Sequence, residues 1–226
     1  MATLNDNALT LLATVKSELG ISTSSDDDYL TRQINRYSQL FEEATDKLWY
    51  RADDYVESVK SVGDTRITVQ DRRPLLAINS IAVKGETVDS DDYEIEDADR
   101  GWIRIDDDFW ESTGVATMRM ERHTKYHELR VDVDYNGGYV TPKQEDDGTF
   151  SPRTLPASIE GAVIDTVAQK YRRKGSQTNV TSESIGSASV SYGSPKGGSM
   201  SGQVLGSYVT ESFEGAVQRH RNRSVL

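Results

Sequence analysis

The sequence predicts an α+β protein: a small bundle of three helices, an antiparallel β-rich domain inserted between the second and third, and a flexible Gly/Ser tether ending in a C-terminal helix. Three observations carry that prediction. Apolar residues recur at helical spacing in the first fifty positions and again from residue 155. Between residues 54 and 140 the pattern changes to short alternating runs. From Gly175 to Ser207, 17 of the 33 residues are Gly or Ser, a composition too poor in apolar surface to order itself.

In chain order, residues 1–53 read as a helical hairpin. Leu9, Leu12, Val15 and Leu19 share one face, and Gly20 suits the left-handed position after a helix, so a first helix is expected over residues 7–19. Ser24 or Ser25 offers the next N-cap, and Asp26, Asp27 and Asp28 follow it at the positive end of the helix dipole. Leu30, Ile34, Tyr37, Phe41, Ala44 and Leu48 then form one apolar stripe. The inserted β domain, residues 54–140, contains YVESVK, RITVQ, LLAINSIAV, YEIED, WIRID, ATMRMER and ELRVDVDY, punctuated by GD, KGE and NGG. Residues 141–154 read as a loop.

Pro156 opens the third helix, over residues 155–175, with Ile159, Val163, Val167 and Tyr171 on one face and Gly175 at its end. An arm over 176–209 follows, in which only ASVSY alternates like a strand in need of a partner strand. The last element spans 210–226, where Phe213, Ala216, Val217 and His220 share a face behind Thr210 or Ser212 as cap. A helix of about 12 residues is marginal alone, so its order must come from docking.

Composition bounds the chemistry. A chain of 226 residues can bury a core without staples, and zero cysteines exclude disulfides, thiolate metal sites and cysteine nucleophiles. No apolar run approaches the roughly 20 residues of a bilayer span. The net charge is −11, with 17 Arg, 9 Lys, 22 Asp and 15 Glu, which argues against a nucleic-acid groove and fits the surface of salt-adapted proteins. Twelve acids against two arginines between Glu86 and Glu111 read as a solvated acidic face.

That acidic run matches no EF-hand rhythm, and solvated strand-end carboxylates lack the contrasted environments of a glycosidase pair. His123 and His127 stand four apart but in strand-like sequence, without HExxH, so they read as surface histidines. GSPKGGSMSG lacks the GK[ST] order of a phosphate loop, and no GxSxG is present. No cofactor, no metal and no enzyme activity are expected. A different class remains open: Trp102, Phe109 and Trp110 beside acids could form a sugar-stacking platform of a carbohydrate- or receptor-binding β module.

The order of DDDYLTRQINRYSQLFEEATDKLWY, YEIEDADRGWIRI, VDVDYNGGYVTP, LPASIEGAVIDTVAQKYRRKG, SESIGSASVSYGS and the arginine-bearing terminal helix resembles the head-tail connector (adaptor, or head-completion) proteins of tailed viruses. With the acid-rich composition, a haloarchaeal tailed virus is the expected source. The resemblance implies a virion neck protein, assembled in the host cytoplasm, whose copies form a ring of twelve beneath the portal protein. It implies packing between subunits through the helices, with Leu30, Ile34, Tyr37, Phe41 and Tyr171 at the contact.

The C-terminal segment would grip the portal, Phe213 and Val217 in apolar pockets, with His220, Arg219, Arg221 and Arg223 at its basic end. The other possibility for that helix is that it folds back on its own subunit. The acidic face at Asp106, Asp107 and Asp108 would line the channel or meet the next neck or tail-completion protein. Genomic DNA would pass without sequence-specific binding, and no membrane is involved.

Overall fold

A computed structural model describes residues 2–61, 65–106, 129–174, 182–185, 188–191 and 209–221. It is α+β with two hydrophobic cores, one among helices and one between sheets. Helix α1 spans Leu12–Leu19 and α2 spans Asp27–Thr45. Strands β1 (Ala52–Ser61), β2 (Arg66–Thr68), β3 (Leu75–Val83), β4 (Glu86–Thr87), β5 (Tyr93–Asp97), β6 (Trp102–Ile105) and β7 (Leu129–Gly137) follow. The chain then forms α3 (Pro142–Asp146), α4 (Ala157–Arg172), the strand pair β8 (Ser182–Ile185) and β9 (Ala188–Ser191), and α5 (Glu211–His220).

Helix α1 ends at Gly20 in the left-handed conformation, φ 67°, as the sequence suggests, but it starts five residues later than the expected 7–19. The reason is that the preceding segment spends its polar groups on α2. The Asn5 and Leu9 N–H groups donate to Asn35 Oδ1 and Ser38 Oγ, both at 3.0 Å, and Asn7 Nδ2 donates to Glu42 Oε2 at 2.6 Å. Neither Ser24 nor Ser25 caps α2. Its N-cap is Asp26, whose carboxylate instead accepts from Tyr171 Oη at 2.8 Å and Lys174 Nζ at 2.5 Å at the end of α4. The acidic turn is therefore a clamp between helices as well as a dipole partner.

The stripe Leu30, Ile34, Tyr37 and Phe41 is 0–1 % exposed inside this chain's own helical core, together with Ile159, Val163 and Val167 of α4. This corrects the expectation that these four side chains pack neighbouring subunits together. An amphipathic helix has one apolar face, and here the bundle has consumed it. Tyr171 is half-buried, tilted against Tyr29 at 6.3 Å and bonded to Asp26, so it too is engaged within the subunit.

The inserted β domain is two sheets, ordered β1-β7-β3-β4 and β2-β6-β5, antiparallel throughout. Ile67, Ile81, Val83, Ile103, Ile105, Val131, Val133 and Tyr135 close the space between them. The alternation of β7 explains its central place: Val131, Val133 and Tyr135 point into the core, while Arg130, Asp132 and Asp134 point out. Because β1 enters the domain and β7 leaves it side by side, the chain departs from and returns to the helices at one point.

Two features of that return carry sequence signals. The pair Gly137-Gly138 is obligatory: Gly138 has φ 94°, and a Cβ there would sit 2.6 Å from the Tyr50 carbonyl oxygen. The region after it, expected as loop, opens with α3. Thr141 Oγ1 accepts from the Gln144 N–H, Gln144 Oε1 accepts from the Thr141 N–H, and Pro142 occupies the first turn. TPKQ is thus a capping box with an N-terminal proline, a signal legible in the sequence that the polar composition masks. Replacing Gly138→Ala is expected to cost about 2 kcal/mol or more through strain and clash, read as a lowered urea midpoint.

Candidate functional site: the seat of the C-terminal helix

Helix α5 is ten residues long and complements its own dipole, with Glu211 and Glu214 in the first turn and Arg219 and His220 in the last. Thr210 caps it, accepting from the Phe213 N–H at 3.3 Å, and its hydroxyl lies 2.9 Å from Thr166 Oγ1 of α4. Ser212 Oγ donates to Asp165 Oδ2 at 3.0 Å. These bonds fix the helix start on α4.

The apolar face is fixed on α2. Phe213, Ala216 and Val217 are 0, 1 and 6 % exposed. Phe213 meets Phe41 edge-on at 5.3 Å and Tyr37 at 6.3 Å. Phe213 and Val217, expected in pockets of a portal, therefore sit in the chain's own core. This is the alternative in which the helix folds back on its own subunit, and the reason is the groove between α2 and α4, which three small or aromatic side chains of α5 fill.

At the other end of α5, His220 stands edge-on to Trp49 at 5.3 Å. Trp49 is fully buried, stacks on Tyr139 at 5.6 Å and 17°, and touches Phe41 at 5.5 Å. Its indole N–H donates to Thr45 Oγ1 at 2.9 Å, and its backbone N–H donates to Glu42 Oε1 at 3.1 Å. Over this aromatic group lies Lys47, its ammonium 4.3 Å from the Trp49 ring and 5.4 Å from Tyr139.

Burial, with Arg73 adding repulsion and Asp99 opposing it, depresses Lys47 to about 7. His220 is also held below its ordinary value, by burial first and then by Lys47 and Arg219. Burial raises Glu42, against the hydrogen bonds from Asn7 and Trp49.

Of the expected basic contacts, Arg219 and Arg221 are exposed beyond this seat and His220 is half-buried within it. Arg223 lies outside the described residues, as do Asp107, Asp108, Phe109, Trp110, His123 and His127. Asp106 is exposed and faces Arg104 at 3.7 Å. The acidic second sheet is laced with arginines: Arg66 pairs with Glu96, Arg104 with Glu94, and Arg100 with Asp97. Trp102 carries the guanidinium groups of Arg66 and Arg100 over its ring at 4.3 and 4.6 Å, so they cover an indole that a sugar platform would need bare.

Among the described residues no group of three or more His, Asp or Glu is placed to hold a metal ion, and no helix is long and apolar enough to cross a membrane.

Residues 10–91, from α1 through β4, match the family model described as phage gp6-like head-tail connector protein. That segment, 82 of the chain's 226 residues, is similar to head-tail connector proteins. Among solved structures, "Virion of native gene transfer agent (GTA) particle" contains a chain of similar fold. That likeness has 14 % identity and a TM-score of 0.51, and it covers 100 % of this chain and 95 % of that one. "Neck of empty GTA particle computed with C6 symmetry" contains another at 14 % identity, the same coverage and a TM-score of 0.50. At that identity the likeness is one of fold. Comparison with curated proteins gives no match.

Two outcomes test the seat. Phe213→Ala is expected to lower the unfolding free energy by about 3–5 kcal/mol in denaturant titrations, whereas a freely hanging helix would leave it unchanged. The second concerns pH. Lys47 has a folded pKa near 7 against an ordinary 10.5, so between those values the unfolded chain binds more protons and stability rises with pH. His220, depressed from 6.5, acts in the same direction just below that value. Unfolding free energy is therefore expected to increase by roughly 1–3 kcal/mol from pH 7 to pH 10, with Trp49 fluorescence as the probe, and Lys47→Met should flatten the rise.

Proposed function

We propose that this protein is a neck component that forms a ring of twelve copies between the portal protein and the next neck or tail-completion protein, continuing the channel through which genomic DNA passes. The match of residues 10–91 to the head-tail connector family carries this reading, and the whole-chain fold likeness to a chain of a GTA particle supports it.

Portal contact runs through the exposed basic end of α5. Arg219, Arg221 and, beyond them, Arg223 pair with portal carboxylates or helix C-termini, while Phe213 and Val217 hold the helix in its own subunit. Many copies in one ring make a weak contact per subunit sufficient. The acidic rim that begins at Asp106 and continues in the sequence with Asp107 and Asp108 lines the passage, where like charge keeps DNA from sticking. The excess of acids supports a salt-adapted source, and assembly takes place in the host cytoplasm.

Electron microscopy of the protein mixed with its portal is the test. An added ring under the portal is expected with the native chain and its loss with Arg219→Glu/Arg221→Glu, scored well below that variant's own melting temperature because charge reversal in the last turn of α5 opposes the helix dipole. A variant that still adds the ring would remove the basic end from the contact, and no ring with the native chain would remove the connector assignment.

A further inference from the structure

The turn that leaves α2 places one amine against aromatic rings without a countercharge. Lys47 is half-buried, its Nζ 4.3 Å from the Trp49 ring and 5.4 Å from that of Tyr139, and His220 stands edge-on to the same indole. Lys16, Lys143 and Lys174 each hold an aspartate, whereas among the described residues no carboxylate lies within ion-pair distance of Lys47. The charges that bear on its nitrogen are Arg73 and then the exposed Asp99, the first repelling an ammonium and the second favouring one. Arg73 is itself short of partners. Its Nη1 donates to the Arg100 carbonyl at 3.1 Å, but its buried Nε meets no acceptor.

We propose that Lys47 Nζ is a modification site for carbon dioxide, forming a carbamate whose charge is favoured by the Arg73 guanidinium. In that step the nitrogen lone pair makes the N–C bond, one C=O pair of carbon dioxide passes to oxygen as the carboxylate, and one N–H proton goes to the buffer. No oxidant, metal or second reagent is consumed. A desolvated lysine beside another cation is a nucleophile at neutral pH because its free base is populated. Burial, aided by Arg73, brings Lys47 to about 7, so at pH 7.5 most of it is free base, against roughly one part in a thousand for a lysine at its ordinary 10.5.

Three features select this electrophile. Trp49, Tyr139 and His220 crowd the amine, so the reagent must be small. A cavity of about 410 Å³ that Lys47 also lines carries Glu42, Glu43, Asp46 and Asp71, which disfavours an anionic reagent such as a phosphate ester. The product itself gains from its surroundings: an aldehyde would leave an imine with no negative charge, whereas a carbamate replaces a cation by an anion where Arg73 outweighs Asp99. The same exchange turns the repulsion that Lys47 exerts on His220 into attraction, so α5 is held more firmly on its seat.

Full-length native protein is equilibrated with 13C-bicarbonate at pH 7.5, treated with a trialkyloxonium salt that fixes carbamates as esters, and mapped by peptide mass spectrometry. A reference peptide with a free α-amino group, whose ordinary pKa is near 8, is included in each sample as positive control. Lys47 is expected to carry the label at ten or more times the occupancy of any other lysine. No label at Lys47, or label spread evenly over the lysines, would overturn the proposal. In a second measurement, amide hydrogen exchange of α5 is expected to slow in bicarbonate relative to chloride at equal ionic strength, and to be indifferent to the exchange of salts in Lys47→Met. Slowing that persists in Lys47→Met, or no slowing in the native chain, would overturn the coupling to α5. The peptide map uses the native chain and so does not depend on how well that variant folds. Neither measurement involves a portal or a ring, so the inference stands or falls apart from the connector reading.

Discussion

The fold turns on Trp49. This indole sits where the chain leaves the helical layer for the sheets, and Tyr139, stacked on it, marks where the chain comes back. The Arg51 N–H donates to the Tyr139 carbonyl and the Tyr139 N–H to the Trp49 carbonyl, at 2.8 and 2.9 Å, so the two crossings are bonded to each other. Gln144 of α3 bonds the same crossing from outside, and the guanidinium of Arg72 lies over Tyr50 and donates to its carbonyl. A domain inserted through two adjacent strands can grow or change its loops while the helices keep their packing, because only this junction must be preserved.

The same indole ties the C-terminal helix into the scheme. His220 closes on its edge, Phe41 bridges it to Phe213, and Lys47 lies above, so the order of α5, the end of α2 and the β domain are coupled through one aromatic cluster. At that end of the seat Lys47 and Arg219 crowd the His220 imidazole and add to the burial that holds it below its ordinary value.

A second buried network serves the β domain. Glu57 accepts from the Gln70 and Asp71 N–H groups and from Tyr135 Oη, at 2.8, 3.1 and 2.7 Å, and so pins the turn after β2 to the β1–β7 pair. Burial raises the Glu57 carboxyl, and Tyr55, bonded to Asp71, is pushed up to about 12. Through these bonds the buried carboxylate joins β1, β7 and the turn after β2 into one unit.

Local periodicity determined what it physically controls. The apolar spacing of α2 and α4, the alternation of β1, β3 and β7, the stop at Gly20 and the order of the elements were all legible, because each depends on neighbours within a few residues. The amphipathic face of α5 was legible as well, but not what covers it: a sequence shows that Phe213 and Val217 must be buried, and only the groove between α2 and α4 decides by whom. The acidic turn at Asp26 likewise looks like a helix cap until Tyr171 and Lys174, 145 and more residues away, arrive to bond it. Tertiary structure made these choices because a side chain's partner is set by which surfaces the chain brings together, and sequence distance carries no record of that.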